Sequence, residues 1–545
     1  MRRHAFYLAL MVAIAIGIYS GMAFGQADVI ATQSGPWTDA NTWGGLDTPT
    51  AADDAQIEMN YEVTISTGEA ADAFRVLLGD NASGNTGTLT MTGGTLTTDR
   101  VISLGGFEVT ETNGIGVINQ SGGDIYIGGY NHPAGWEQFV IGDKGTSHGV
   151  YNISGGTIDV PEGISIAHSA GATGEMHQWG GAVSSGGYFV VGNQNQGTFS
   201  MDAGSVTLTG TESFYVGYST TGVGTVTQTG GDISTTSMVV SRSGDAQYTM
   251  SGGSITASED LQIAQNGIEG DKSGLLTQSS GIISVTGSAW IANINKSQGT
   301  YSLSGDAEIN IATDLNVCAA VGKNGSAPSG SSGTLNIDGE GVTITVGGNL
   351  VATGGTVIDP ESIWVNTSYF NFTPTTTGGL STIDVTGSAD IDSAIFNIVE
   401  EVGQELAPGT VLNLIEADGG ISNLATAVLS QSAIDNDWTL QLDGTILKAV
   451  KTLNVVIPGD TNNDGIVNST DAEKLASNWG ATVGTAGPSE GDFNGDGVVN
   501  AIDASIMSAN WGNHNESATG AVPEPSAIVL LLGMLIGAVT RRRSH

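Results

Sequence analysis

The sequence predicts a mainly β protein, a right-handed parallel β-solenoid rod with a β-rich closing region and a small α-helical module. Three observations lead to this prediction. A unit with a glycine turn recurs from residue 87 onward, and strand-like alternation of apolar residues extends to residue 452. Two loops rich in Asp, Asn and Gly, at 459–471 and 491–503, are each followed by apolar residues at helical spacing.

The first residues predict export. Arg2 and Arg3 precede an apolar run and then small residues near Ala27, which is the pattern of a secretory signal peptide over 1–27. Residues 28–86 are expected to form an N-terminal β cap, because Trp37 and Trp43 supply apolar bulk beside short alternating strands.

The rod is predicted over 87–350. GTLTMTGGTL at 87–96 returns as GVINQSGGDI at 116–125 and GTVTQTGGDI at 224–233, and each unit is followed by a second short apolar alternation. A propeller blade would need about 40 residues, and a sandwich would not repeat its turn sequence. The pattern resembles the right-handed β-helices of autotransporter passengers and pectin-lyase-like proteins.

Two columns of residues should follow from such a rod. The second glycine of each pair should stack at positive φ, and one apolar residue per unit should stack inward. The expected glycines are Gly94, Gly123, Gly156, Gly231 and Gly253, and the expected inward residues are Leu89, Val117, Tyr151, Val226 and Tyr248. Residues 351–452 lose the period and are expected to close the rod with strands and one helix near 421–434.

No catalytic set stands out in the repeats. The four histidines there, His132, His148, His168 and His177, are scattered and are predicted to be surface residues, and Asp53, Asp54 and Asp143 are predicted to be turn residues. The aromatic residues Trp136, Trp179, Tyr215 and Trp290 are expected to pack against the rod, although a sugar-binding face is an alternative. Cys318, the single cysteine, excludes an internal disulfide framework and is expected to be buried.

The two loops carry the ligand pattern of a twelve-residue calcium loop, with oxygen donors at positions 1, 3, 5, 7, 9 and 12 and glycine at position 6. The glycines are Gly465 and Gly497. The predicted donors of the first loop are Asp460, Asn462, Asp464, Ile466 through its carbonyl, Asn468 and Asp471. Those of the second loop are Asp492, Asn494, Asp496, Val498 through its carbonyl, Asn500 and Asp503.

An apolar helical stripe follows each loop and ends at Trp479 and Trp511, with Gly480 and Gly512 at the expected caps. A duplicated loop and exiting helix, with Asp at position 12, resembles the dockerin family over 459–512, within an expected domain at 453–515. The resemblance implies two Ca²⁺ ions, calcium-dependent folding and a cohesin-type partner. It also implies partner contacts at loop positions 10 and 11, which are Ser469, Thr470, Ala501 and Ile502.

The C-terminal stretch 516–545 combines Val522-Pro523-Glu524-Pro525, a short apolar run and three arginines. This order resembles the PEP-CTERM sorting signal, which implies recognition at Pro523, Glu524 and Pro525 by an exosortase. The resemblance also implies export to the cell surface or exterior, with a short transmembrane segment that anchors the chain in the inner membrane only until it is processed.

The net charge of −40 makes nucleic acid and anionic lipid poor partners. Two hypotheses on function remain open. The first is a non-catalytic surface or matrix rod that is assembled through its calcium module. The second is a polysaccharide-degrading enzyme or carbohydrate-binding subunit recruited to a cohesin scaffold.

Overall fold

The computed structural model describes most of the chain between residues 28 and 513. The described ranges are 28–45, 47–80, 84–107, 113–128, 138–265, 272–293, 296–318, 330–353, 355–359, 362–400, 403, 405–452, 457–462, 465–483 and 487–513. The predicted signal peptide and sorting signal lie outside them. The chain divides after Lys451 into two compact units.

The first unit is a β-solenoid of about 12 turns. One coil contains His148–Ile153, Thr157–Val160 and Gly163–Ile166, and each strand pairs in parallel with its counterpart in the next coil. Buried residues alternate with more exposed ones along the first two strands, whereas Gly163–Ile166 is buried throughout. Each coil contributes apolar side chains to a core that extends from Ala31 to Ala449. The mainly β prediction and the solenoid are confirmed.

Three rows of strands form the walls of the solenoid. The first row is one fifteen-stranded parallel sheet, made by Asp28–Ile30, Asp54–Ile57, Arg75–Leu78, Ile102–Leu104, Gln138–Ile141, Gly163–Ile166, Tyr188–Val191, Phe214–Val216, Met238–Val240, Leu261–Ile263, Ala289–Ile291, Leu315–Val317, Leu350–Val351, Ala389–Asp390 and Ile421–Ser422. The second row contains Gly35–Pro36, Glu62–Ile65, Thr86–Thr98, Ile115–Ile127, His148–Ile153, Thr173–Gln178, Gln196–Met201, Val223–Gln228, Asp245–Ala257, Ser273–Val285, Gln298–Leu303, Ser332–Asp338, Ser362–Thr373, Ile395–Ile398 and Val428–Leu429. The third row contains Ala70–Ala73, Thr157–Val160, Ala182–Ser185, Ser205–Leu208, Asp232–Thr235, Glu308–Ile311, Thr343–Val346, Ile383–Val385 and Val411–Ala417, together with the second halves of the four thirteen-residue strands.

Parallel pairing extends on both sides of 87–350. Asp54–Ile57 pairs with Arg75–Leu78 in the first row, and Leu350–Val351 pairs with Ala389–Asp390 in the same row. Trp37 and Trp43 are buried and meet edge to face, with ring centroids 5.1 Å apart.

Antiparallel pairing enters near the end of the first unit. Gly355–Asp359 pairs with Ser362–Thr373, and Ile446–Lys451 pairs with both Val411–Ala417 and Trp438–Asp443. In the region where one helix was predicted, near 421–434, the structure has strands Ile421–Ser422 and Val428–Leu429 followed by the short helix α1 at Gln431–Asp435. Both strands pair in parallel with the coil before them, and this pairing overrides the local helical preference at their residues.

The predicted column of turn glycines is confirmed. The five glycines all have positive φ, between 72° and 82°. A Cβ on Gly156 would lie 2.1 Å from the carbonyl oxygen of Gly123, and a Cβ on Gly253 would lie 2.3 Å from that of Gly231. Each turn therefore lies on the turn of the coil before it, where a side chain has no space.

The inward column is confirmed except at Val117. Leu89 pairs with Ile118, which pairs with Tyr151, and Ile118 is fully buried. Val117 points outward and is only partly buried. Two adjacent apolar residues, Val117 and Ile118, occur in this unit, so the unit alone does not decide which of them faces the core. Pairing with the neighbouring coils decides it.

A second column of positive φ was not predicted. The residue that follows the first-row strand has positive φ in successive coils, and it is glycine at Gly142 and Gly192 but alanine at Ala167 and Ala264. Cys318 occupies the same position, with a φ of 47°. Its thiol is buried, as expected, and burial raises its pKa to about 11.

Coils with a buried glutamine alternate with coils that have a buried aromatic residue. Gln120, Gln178, Gln228 and Gln278 occupy every second coil, and Tyr151, Phe199, Tyr248 and Tyr301 occupy the coils between them. Each glutamine Nε2 donates to the carbonyl oxygen of its own turn glycine and to a carbonyl of the next coil. The three tyrosines donate to the Oε1 atoms of Gln120, Gln228 and Gln278, at 2.6, 2.7 and 2.5 Å.

The fourth pair lacks this bond because its aromatic residue is Phe199. Within the part of the chain that the structure describes, the buried Oε1 of Gln178 has no hydrogen-bond donor. We expect Phe199→Tyr to raise the free energy of unfolding by about 1 kcal/mol, since the added hydroxyl supplies that donor.

Urea unfolding followed by intrinsic fluorescence measures this change. Tyr248→Phe is the matched reverse variant and should lower stability by about 1–3 kcal/mol, because it leaves Gln228 Oε1 unpaired. A Phe199→Tyr protein less stable than the parent would contradict the proposed pairing.

Of the aspartates predicted in turns, Asp54 lies instead in a strand, is 1 % exposed and accepts a 2.8 Å hydrogen bond from Nε of Arg75. Asp143 lies in the connection between Gln138–Ile141 and His148–Ile153, as predicted, but it is buried beside Ser103, and burial raises its pKa to about 6. Among the described residues, no helix is long and apolar enough to cross a membrane.

Candidate calcium centre

A nine-residue helix begins within the last residues of each loop. Helix α2 is Ser469–Ser477 and helix α3 is Ala501–Ala509, with a 3₁₀ turn at Gly487–Glu490 between them. The side chains of Asn468 and Asn500 accept hydrogen bonds from the first-turn N–H groups of Thr470 and Ile502. Each helix therefore begins inside its loop, because loop position 9 is also the helix N-cap.

The two copies interlock through their loops. The N–H of Gly512, after the second helix, donates to the carbonyl of Val467 in the first loop. In the same way, the N–H of Gly480 donates to the carbonyl of Val499 in the second loop. Gly480 and Gly512 were predicted at the helix caps, but the caps are Asn478 and Asn510, and the glycines have positive φ two residues further on.

The module has a small core of its own. Its buried side chains are Ile457, Val467, Leu475, Val499 and Met507. Trp479 and Trp511 were predicted to continue the buried stripes, but they are 55 % and 53 % exposed. Each helix ends at residue 477 or 509, so the tryptophan two positions later no longer follows the helical phase.

In the first loop the carboxylates are held by the backbone. Asp460 Oδ2 accepts the N–H of Gly465, and Gly465 has a φ of 83° as loop position 6 requires. Asp471 accepts N–H groups with both oxygens, from Thr461 at 2.8 Å and Asn468 at 2.8 Å. Asp464 lies outside the described residues.

The second loop has the same arrangement. Asp492 Oδ2 accepts the N–H of Gly497 at 2.8 Å, and Gly497 has a φ of 84°. Asp503 accepts the N–H of Phe493 at 2.8 Å and that of Asn500 at 2.8 Å. The duplicated sequence thus produces a duplicated geometry.

Ionised carboxylates are favoured in both loops. Burial opposes the charge of Asp471, but the N–H groups of Asn468 and Thr461 outweigh it and lower the pKa of that carboxyl. The side-chain amide of Asn494, followed by the N–H of Val498, lowers the pKa of Asp496. Negative oxygen donors are what a hard divalent cation requires.

The donor set fits calcium by its chemistry. Asp460 occupies loop position 1, the first predicted ligand, and is 6 % exposed. Its Oδ1 has no hydrogen-bond donor among the described residues, which is consistent with an oxygen that binds a cation. No three His, Cys, Asp or Glu side chains of the described ranges converge as a metal set. The remaining donors would be the amide and carbonyl oxygens of Asn462, Ile466, Asn468, Asn494, Val498 and Asn500.

The four candidate partner residues are on the surface. Ser469, Thr470, Ala501 and Ile502 are all exposed in the first turns of α2 and α3, and Ile502 is 54 % exposed. The first pair is polar and the second is apolar, so the two halves of the module present different chemistry. Pro523, Glu524 and Pro525 lie outside the described residues.

A duplicated loop and helix that interlock through the loops define a paired calcium-loop module. Residues 458–512 match the sequence model of the dockerin type I domain. Comparison of the chain with curated proteins and with solved structures finds no match. Dockerin domains bind calcium and assemble with cohesin domains, and they suggest an extracellular or cell-surface protein.

Proposed function

We propose that this chain is an exported, non-catalytic β-rod of the cell surface or extracellular matrix, attached to a cohesin-type partner by its dockerin module. The observation that supports this most is the pair of complete ligand loops within a segment that matches the dockerin domain. The solenoid supports it too, because its outward positions along the second row are mostly Thr, Ser and Asn.

In this proposal two Ca²⁺ ions bind, one in each loop. Asp460, Asn462, Asp464, Asn468, Asp471 and the carbonyl of Ile466 would hold the first ion. Asp492, Asn494, Asp496, Asn500, Asp503 and the carbonyl of Val498 would hold the second. Each ion would supply the positive charge that holds together loop oxygens which otherwise repel one another. Because the core of the module has only five buried residues, the module would need this contribution to stay folded.

The partner would contact the exposed first turns of α2 and α3. The polar pair, Ser469 and Thr470, and the apolar pair, Ala501 and Ile502, would not offer equivalent surfaces. An apolar contact excludes water more readily, so we assign the stronger contact to Ile502.

Export and sorting complete the proposal. The segment 1–27 would be removed as a signal peptide, and an exosortase would cut near Pro523 after transient anchoring in the inner membrane. Intact mass of the protein exported by its host tests this step, since retention of Arg541–Arg543 would contradict it.

Calcium-dependent retention on immobilised cohesin domains tests the attachment. We expect the full chain to bind at least one member of a cohesin panel in calcium and to elute with EDTA. Ile502→Glu should weaken binding more than Thr470→Glu, about tenfold or more, because it places a charge in the apolar contact. Failure to bind any cohesin in calcium would contradict the proposal.

A polysaccharide-degrading or carbohydrate-binding subunit is the second candidate. One observation favours it, a group of His, Glu and Trp side chains on the outer face of the rod. Turnover of glycans by the full chain would separate an enzyme from a binding protein.

A further inference from the structure

One coil differs from its neighbours on the outer face of the second row. The outward residue next to the strand end is Asn119, Asn152, Ser200 or Thr227 in nearby coils, and the residue before the turn is Ser, Asp or Thr. In the coil that begins at Thr173 these two positions are His177 and Trp179. The sequence gives no local reason for two rings at positions where short polar side chains suffice.

The two rings form a fixed platform. The ring of His177 stacks on that of Trp179, with centroids 5.7 Å apart and planes 13° apart. Nδ1 of His177 lies 2.8 Å from Ser200 Oγ, and its Nε2 lies 3.3 Å from Glu175 Oε2. With both nitrogens in contact, the imidazole holds the indole in place.

A second imidazole extends the cluster across the coils. His148 Nε2 lies 3.8 Å from Glu175 Oε1, and His148 Nδ1 lies 2.9 Å from Thr173 Oγ1. Histidines predicted to be scattered surface residues are therefore joined by one carboxylate, whereas half-buried His168 bonds separately to Ser165. His132 and Trp136 lie outside the described residues.

Trp179 is the exposed member of this group. Trp179 was expected to pack against the rod, but it is 51 % exposed, whereas Tyr215 and Trp290 are partly buried, as expected of packing residues. A large apolar ring left half in water beside oriented polar groups is the composition of a binding site, since it gains free energy when a ligand covers it.

We propose that His148, Glu175, His177 and Trp179 form a binding site for a neutral polysaccharide. The apolar C–H face of a pyranose ring covers Trp179, and hydroxyl groups of the sugar donate to Glu175 and exchange hydrogen bonds with the imidazoles. This site goes beyond the attachment function and does not depend on the calcium module.

Charge selects the class of saccharide. The chain has a net charge of −40, and Glu175 places a carboxylate at the centre of the site. An acidic glycan would be repelled by both. A neutral chain meets no such barrier and offers the hydroxyl donors that a carboxylate accepts.

Pull-down of the full chain by an insoluble neutral β-glucan tests the site, with soluble polygalacturonate as the acidic comparison. We expect β-glucan binding that Trp179→Ala weakens about tenfold or more and that Trp179→Tyr retains in part. Trp479→Ala removes an equally exposed tryptophan from the calcium module and should change nothing. Circular dichroism checks that the Trp179→Ala rod is folded.

The pull-down is run both in calcium and in EDTA. A result against the saccharide site can then be distinguished from a result against cohesin attachment, which requires calcium. Binding that persists in EDTA and depends on Trp179 supports the site. Absence of β-glucan binding, full binding by Trp179→Ala, or preference for polygalacturonate would overturn it.

Discussion

Replacing both Asp460 and Asp492 by alanine should abolish the calcium-dependent folding of residues 457–513. Each is the first ligand of its loop, and each accepts the N–H of the loop glycine. The module has five buried apolar side chains, so calcium at a hundred times its Kd, worth about 2.7 kcal/mol, decides whether it folds.

Hydrogen exchange of the full chain, read by mass spectrometry, measures this effect. In the parent protein, calcium should slow exchange across α2 and α3, and EDTA should remove that protection. The double variant should exchange fast under both conditions. Asp306→Ala with Asp418→Ala is the charge-matched control, because both are exposed residues of the rod and should leave protection intact. Equal protection with and without EDTA in the parent would refute calcium-dependent folding.

Gly253→Ala should destabilise the rod by at least about 3 kcal/mol. The residue has a φ of 79°, where a Cβ costs about 1–2 kcal/mol, and that Cβ would also lie 2.3 Å from the carbonyl oxygen of Gly231. Backbone atoms of the stacked coil must move to admit it, since the two nearest atoms belong to the backbone of Gly231 and Gly230.

Gly68→Ala separates the two causes. Gly68 has a φ of 85°, but a Cβ there would have no atom within 4 Å. Its replacement should cost only the backbone term of about 1–2 kcal/mol. The urea midpoint of the rod measures both variants. Equal effects at the two sites would show that stacking of the turns adds nothing to the cost of the backbone angle.

The sequence predicted the repeating parts of this fold well, because stacked coils place the same residue type at the same position. Gly123 and Gly156, for example, are the second glycines of their repeat units, and this shared position in the sequence was enough to predict that they stack. Val117 was assigned to the wrong face of its strand, because either Val117 or Ile118 could point inward. The pairing of Ile118 with Leu89 and Tyr151 shows that Ile118 is the inward residue.

Features that depend on contacts between coils were harder to predict. The second column of positive φ includes Ala167 and Cys318, which carry no glycine signal, and the ladder hydrogen bonds of the stacked strands impose their conformation. His148 and His177 come together only because their strands are neighbours in the second row.

In the calcium module, the candidate ligands could be predicted from the sequence because each donor has a fixed position relative to the loop glycine. The outward direction of Trp479 was not, since the helical stripe was assumed to continue past Ser477. The unsatisfied Oδ1 of Asp460 also needed the folded loop to be seen.

The alternation of glutamine and aromatic residues makes two coils, rather than one, the unit in which this rod can change length. Deleting a coil that contains a tyrosine would place glutamine beside glutamine and leave a buried amide oxygen without its donor. Deleting a coil that contains a glutamine would instead leave a buried tyrosine hydroxyl without its acceptor. Deleting or duplicating two coils restores every partner. Because neighbouring strands are about 4.8 Å apart, lengths compatible with this interior differ in steps of about 10 Å, so the reach of the protein varies in steps rather than continuously.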